Sequence, residues 1–176
     1  SIGGIKVQKY SAFLREIVVP TNFNIVSVRP LRGSGLIVCD PTLVFAVIDA
    51  LFGGAGKFHT RIEGRDFSPT EQRIITRLVE VVIAEYKKAW QGIYPLELEY
   101  QRSEMQPQFA NIASPSEMVV TTSFTLEIGD TSGSSAQAGT VSIVYTAGPD
   151  DGQAQRGHDD VAAIAFPLGI PGSGDT

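Results

Sequence analysis

Cysteine and histidine are scarce in this sequence of 176 residues, and their scarcity excludes two kinds of site. The single cysteine, Cys39, has no partner for an internal disulfide and excludes a zinc site built from several cysteines. The two histidines, His59 and His158, lie far apart in the chain, which disfavours a histidine-rich metal site. We therefore expect neither a bound metal nor a cofactor.

Long apolar runs and an excess of basic charge are also lacking. No stretch reaches the roughly 18 apolar residues that a transmembrane helix requires, and the first residues lack the basic-then-apolar order of a secretory signal. The formal net charge of −5 disfavours a nucleic-acid-binding surface, which needs clustered Lys and Arg. We expect neither membrane insertion nor a nucleic-acid partner. The 43% of hydrophobic residues is typical of a domain with a packed core.

The distribution of charge and glycine divides the chain near residue 133. Residues 1–133 carry 13 basic and 14 acidic side chains, whereas residues 134–176 have one basic residue, five aspartates and seven of the 18 glycines. We interpret residues 1–133 as the folded domain. The Gly/Asp-rich segment 134–176 is predicted to add one strand at Thr140–Tyr145 and to be disordered after it.

Residue periodicity predicts a mixed α/β fold. The predicted strands are Asn22–Arg29, Gly35–Cys39, Leu96–Gln101 and Val120–Ile128. The first two form a hairpin across a short Gly-containing connection. The later two alternate apolar and polar residues, which indicates an antiparallel sheet with one face covered by helices.

Two helices are predicted from their start signals and apolar stripes. Asp40 is an N-cap candidate before Pro41, and the apolar positions that follow, including Leu51, form one buried face. Ser68 and Glu71 have the spacing of a capping box, at the start of a helix of about 20 residues. This second helix is expected to be the main structural helix of the domain.

Three glycines in four residues follow the first predicted helix, in the motif Gly53, Gly54, Ala55 and Gly56. Such a segment can present backbone N–H groups to an anion or allow close approach of a partner's backbone. It does not match a phosphate loop, because no Lys-Ser/Thr follows and the motif ends a helix instead of starting one. A helix C-cap with a turn is the alternative, but it leaves the third glycine unexplained.

The next segment carries charges of both signs, at Arg61, Glu63, Arg65 and Asp66. It is a candidate docking loop, and a solvated loop with self-paired charges is the alternative. No catalytic pair is apparent elsewhere. Glu97 and Glu99 share the outward side of a predicted strand, and Cys39 ends an apolar strand in the manner of a small buried hydrophobic residue. The residues by themselves predict no active site.

Six motifs, in this order, resemble the middle domain of the FliM family of flagellar motor switch proteins. They are Val19–Asn22, Pro30–Gly33, Leu51–Gly56, Glu63–Phe67, Pro69–Ile74 and Tyr100–Met105, within residues 4–133. The resemblance implies an α/β/α layered domain of the CheC-like type, with a mostly antiparallel sheet flanked by long helices.

The resemblance also implies a function. It implies a non-enzymatic interaction module in the C-ring of the flagellar basal body, at the cytoplasmic face of the inner membrane. There the family binds FliG and neighbouring FliM subunits and supports torque, motility and directional switching in chemotaxis. Gly53, Gly54, Ala55 and Gly56 correspond to the family's FliG contact.

The sequence also departs from the family pattern. The peptide that captures phosphorylated CheY, the start of the middle domain's first helix and the domain that joins FliN are not expected in it, so phosphorylated CheY stays open as a partner. Ser134–Thr176 does not match, and a fusion, a changed reading frame and a natural variant are the alternatives. A CheC- or CheX-type phosphatase of phosphorylated CheY is the second functional hypothesis. It would need an acid at Arg77 and an asparagine at Glu80, so we do not expect enzymatic activity.

Overall fold

The computed structural model describes residues 2–18, 21–30, 33–52, 66–128 and 137–146. The strands are β1 (Ile2–Lys9), β2 (Asn22–Arg29), β3 (Ser34–Cys39), β4 (Glu97–Glu104), β5 (Met118–Ile128) and β6 (Gln137–Thr146). The helices are α1 (Tyr10–Glu16), α2 (Pro41–Leu51) and α3 (Pro69–Trp90), with a 3₁₀ turn at Pro107–Phe109. All described strand pairs are antiparallel, in a six-stranded sheet of order β1-β5-β6-β3-β2-β4. The predicted α/β class with an antiparallel sheet is confirmed.

Local start signals place both longer helices as predicted. The Asp40 carboxylate accepts a hydrogen bond from the Leu43 N–H at 2.7 Å, which caps α2. At α3 the Ser68 N–H donates to Glu71 Oε2 at 2.7 Å, while the Glu71 N–H donates to Ser68 Oγ at 3.3 Å. This reciprocal pair is the predicted capping box.

Strand β6 includes the stretch Thr140–Tyr145 that the sequence offered as an additional strand, and it lies inside the sheet. It pairs with β5 on one side and with β3 on the other. The sheet therefore extends across the predicted boundary at residue 133. The disorder predicted for the rest of the chain falls outside the described residues.

The hydrophobic core has two parts, one on each face of the sheet. The larger part lies under α2 and α3 and includes Val141 and Ile143 of β6 together with Val79 and Ile83 of α3. The smaller part lies on the opposite face, where Tyr10 and Phe13 of α1 pack on the sheet with the following side chains. These are Phe23, Ile25, Leu36, Val38, Val119 and Val144.

Sequence periodicity missed the first strand and the first helix. Strand β1 contains Gly3 and Gly4, and its pairing with β5 is irregular between Ile2 and Ile5, so the sequence shows no clean alternation there. Helix α1 has only seven residues and no side-chain N-cap, which leaves no start signal to recognise.

Candidate protein-interaction site

The glycine motif and most of the charged loop lie outside the described residues. Gly53, Gly54, Ala55, Gly56, Arg61, Glu63 and Arg65 belong to this group. Asp66 is described and exposed. The structure does describe both chain ends that hold this segment, and these ends define the candidate site.

The segment begins at the exposed end of α2. Leu51 and Phe52 are 66% and 74% exposed, although both side chains are large and apolar. The helical hydrogen bonds continue to this point, since the Phe52 N–H donates to the Ile48 carbonyl at 3.1 Å. Two adjacent apolar side chains therefore stand in solvent on an ordered helix end, which is typical of a protein-contact surface.

This exposure corrects the prediction that Leu51 belongs to the buried face of its helix. The buried residues of α2 are Pro41, Leu43, Val44 and Ala46, all in its first half. The three-to-four spacing continues to Leu51, but the Leu51 side chain is exposed, whereas Ile48, three residues earlier, still packs against the larger part of the core. Sequence periodicity does not show at which residue a helix extends beyond the part of the protein that covers it.

The segment ends on the same helix from which it begins. Phe67 is 3% exposed, and its ring centroid lies 5.8 Å from that of Phe45 in α2. Immediately after it, Ser68 starts α3 with its capping box. Residues 53–65 are thus attached to α2 at both ends, at an exposed helix end on one side and through Phe67, in the larger part of the core, on the other.

The opposite end of α2 is fixed to strand β6. Asp40 Oδ2 accepts a hydrogen bond from the Thr140 N–H at 2.5 Å, and the Asp40 N–H donates to the Thr140 carbonyl at 3.1 Å. A Cβ atom at Gly139 would lie 2.4 to 2.6 Å from Leu43 Cβ, Cα and N. Only glycine allows α2 to approach β6 this closely.

Helix α3 is held on β6 by an aromatic cluster. The Tyr86 ring stacks on the Tyr145 ring at 6.4 Å and meets the Phe124 ring edge-on at 6.2 Å. Burial raises the pKa of both the Tyr86 and the Tyr145 hydroxyl. These tyrosines stay neutral at physiological pH, and we interpret the cluster as structural.

The positions that would serve a phosphatase do not offer its chemistry. Arg77 and Glu80 both lie on the exposed side of α3 and pair with each other at 3.1 Å. Arg77 cannot act as the acid, and Glu80 would repel an anionic acyl phosphate.

The remaining observations concern Cys39, potential metal ligands and membrane-spanning helices within the described part of the chain. Cys39 is fully buried, as predicted, and this burial raises its pKa to about 12, which removes the nucleophilic thiolate at neutral pH. The described residues contain no cluster of three or more His, Cys, Asp or Glu side chains suited to a metal ion. Among the described helices, none is both long enough and apolar enough to span a bilayer.

Comparison with known proteins places the chain in a family. The model of the family "Flagellar motor switch protein FliM" matches residues 1–137. The FliM protein of Escherichia coli K12 is 50% identical over 134 residues, which is 76% of this chain and 40% of that relative. The chain thus spans well under half the length of this relative.

Solved structures agree with the sequence match. The FliM middle domain of Vibrio alginolyticus superposes with a TM-score of 0.70 at 37% identity, and the match covers 83% of this chain and 77% of that one. A FliG–FliM complex from H. pylori matches with a TM-score of 0.71, and here the 23% identity supports the fold alone. That match covers 83% of this chain and 76% of the other. The family match over most of the chain, together with the shared fold, shows that this chain belongs to the FliM family of flagellar motor switch proteins.

Proposed function

We propose that this chain is an interaction module of the flagellar motor switch that docks FliG at the end of α2. The proposed surface includes Leu51, Phe52 and, next in the sequence, the glycine motif Gly53–Gly56, and the charged residues from Arg61 to Asp66 follow it in the chain. The observation that carries the proposal is the exposure of Leu51 and Phe52. These two residues immediately precede the glycine motif that the family resemblance assigns to FliG contact. The solved FliG–FliM complex of H. pylori supports the choice of partner.

Phe52 can provide an apolar anchor for a partner, and the glycines that follow it in sequence can allow that partner to approach closely. Phe52 offers a large aromatic side chain that is already exposed on an ordered helix end, so little conformational entropy is lost when a partner covers it. Three glycines next to it let a partner's backbone approach without a steric clash from Cβ atoms.

We extend the proposal to the wider setting of the family. The module would contact neighbouring FliM subunits in the C-ring at the cytoplasmic face of the inner membrane, and phosphorylated CheY remains a candidate partner. Its role would be mechanical and non-enzymatic. Unchanged dephosphorylation of phosphorylated CheY in the presence of the chain is the expected result, and a clear acceleration would contradict this part of the proposal.

Titration of FliG against variants of the chain tests the docking surface. Phe52→Ala should weaken binding by at least about 30-fold, the effect of losing a central aromatic contact. Gly56→Trp should abolish binding, since a bulky side chain would block the close approach. Phe109→Ala is the matched control, because Phe109 is 55% exposed on a surface remote in sequence from α2.

Circular dichroism and thermal melting separate docking from folding in these variants. Both Phe52 and Gly56 variants should keep most of the melting transition of the parent chain. Unchanged FliG affinity in a folded Gly56→Trp variant would contradict the docking role. Equal weakening by Phe52→Ala and Phe109→Ala would show that the exposed helix end has no special part in binding.

A further inference from the structure

We propose that Asp40 and Gly139 are positioning residues that hold α2 on strand β6 and thereby set the place of its exposed end. The inference rests on the proposed function where FliG binding is concerned. Neither residue belongs to the docking surface itself. Gly139 also lies beyond residue 137, where the match to the family model ends.

Asp40 uses its two carboxylate oxygens for two different elements. Oδ1 accepts from the Leu43 N–H at 2.7 Å inside α2, and Oδ2 accepts from the Thr140 N–H of β6 at 2.5 Å. An ordinary N-cap needs only the first of these bonds. The second bond ties the start of the helix to the central strand.

The backbone completes this connection. The Asp40 N–H donates to the Thr140 carbonyl at 3.1 Å, so the two residues exchange hydrogen bonds in both directions. Gly139, the residue before Thr140, leaves no room for a side chain against Leu43. Since two of the three obstructing atoms belong to the Leu43 backbone, a side chain at Gly139 would have to displace α2 as a whole.

A displacement at the start of α2 reaches its far end because the helix is rigid over this length. Its 11 residues extend about 16 Å at a rise of ~1.5 Å per residue. Leu51 and Phe52 are at that far end and are 66% and 74% exposed, so their own side-chain contacts do little to fix their place. Their place relative to the rest of the domain therefore depends on the contact between Asp40, Gly139 and Thr140.

Matched variants of the full chain test this inference. Gly139→Val forces α2 away from β6, while Ala138→Val places the same side chain on the exposed neighbouring residue of β6. Asp40→Ser keeps a side-chain oxygen for the helix cap but removes the acceptor for the Thr140 N–H. Melting curves recorded by circular dichroism are used to choose a temperature at which every variant is folded.

Two readouts are measured under these conditions. Hydrogen exchange of the Phe52 amide, which donates to the Ile48 carbonyl in the last turn of α2, reports how often α2 opens when its attachment to β6 is weakened, and titration reports affinity for FliG. We expect Gly139→Val and Asp40→Ser to speed exchange at Phe52 and to weaken FliG binding, each by about tenfold. Ala138→Val should change neither by more than about twofold.

The exchange measurement keeps this inference separate from the proposed function. If the parent chain fails to bind FliG, the proposed function is wrong, while faster Phe52 exchange in Gly139→Val still supports the positioning role. Unchanged exchange at Phe52 in folded Gly139→Val and Asp40→Ser variants would overturn the inference. Equal effects of Gly139→Val and Ala138→Val would overturn it as well.

Discussion

The two faces of the sheet are built from the same six strands, yet they are stabilised in different ways. The face under α2 and α3 is a continuous apolar layer in which Val141, Ile143 and Tyr145 alternate along β6. The opposite face has its apolar part under α1 and a polar part along β5 and β6. Because strand side chains alternate between faces, successive residues of β6 belong to different environments.

The polar part of the second face forms a cleft of about 280 Å³ beside α1. Its lining includes Thr121, Ser123 and Ser142 from the sheet, with Lys6 and Glu16 at its edge. The hydroxyls of Ser123 and Ser142 hydrogen-bond to each other at 3.0 Å. The difference indicates that packing on the face under α2 and α3 provides most of the stability of the fold. The opposite face also contributes hydrogen bonds in its polar part.

Among the predicted changes in the free energy of unfolding, truncation of Ile143 should cause the largest. Ile143 is 1% exposed in the larger core, so Ile143→Ala should lower the free energy of unfolding by about 2–5 kcal/mol. Ser142→Ala, the adjacent residue on the polar face, should cost less than about 1 kcal/mol. Urea unfolding measures the free energy of unfolding of both variants. An equal loss in both would contradict the proposed difference between the two faces.

Removal of one hydroxyl on the second face should have an intermediate effect. The Tyr10 hydroxyl donates to the Ala110 carbonyl in a buried setting, and both residues are at most 1% exposed. Tyr10→Phe should cost about 1–3 kcal/mol, because a buried carbonyl loses its donor. A cost below that of Ser142→Ala in the same unfolding assay would show that this hydrogen bond does not stabilise the face.

Replacement of the Thr121 hydroxyl should preserve or increase the stability of the fold, in contrast to the losses expected above. Its hydroxyl oxygen is buried and has no hydrogen-bond partner within the described part of the chain. Thr121→Val keeps the shape and removes this polar atom, so the melting temperature should stay the same or rise, with a gain of up to about 1 kcal/mol. A clear loss of stability would indicate that the hydroxyl has a partner such as a bound water.

The smallest effect is expected at acid pH, at the exposed edge of the polar face. Hydrogen bonds from Lys6 and then Gln8 lower the pKa of Glu16 below its usual 4.5. A lowered folded-state pKa gives a contribution that is complete above pH 4.5 and is lost as the pH falls through the folded-state value. Comparison of Glu16→Gln with the parent chain at neutral and acid pH should show a small difference at neutral pH only. A difference that persists at acid pH would assign the effect to packing.

Local sequence signals predicted those parts of the fold that local interactions create. The starts of α2 and α3 could be predicted from Asp40, Ser68 and Glu71, because a helix cap forms between residues three positions apart. The burial of Cys39 follows in the same way from an apolar strand. These features require no knowledge of distant parts of the chain.

Features that depend on distant pairing could not be predicted. The hydrogen bonds between Asp40 and Thr140, and the close approach at Gly139, join segments far apart in sequence. The sequence indicated Thr140–Tyr145 as an additional strand, but its composition does not reveal that this strand pairs with β3 on one side and β5 on the other. Periodicity likewise could not show that Leu51 and Phe52 are exposed at the end of α2.

The interior position of β6 has a consequence for biosynthesis. During translation, β2 and β3 leave the ribosome early and can form their hairpin, but β3 waits for β6 to cover its other edge. That edge belongs to the apolar run Leu36–Val38, and it stays open until almost the whole domain has been made. Because pairing over such a distance closes slowly, we expect the nascent chain to be prone to aggregation until β6 has docked between β3 and β5.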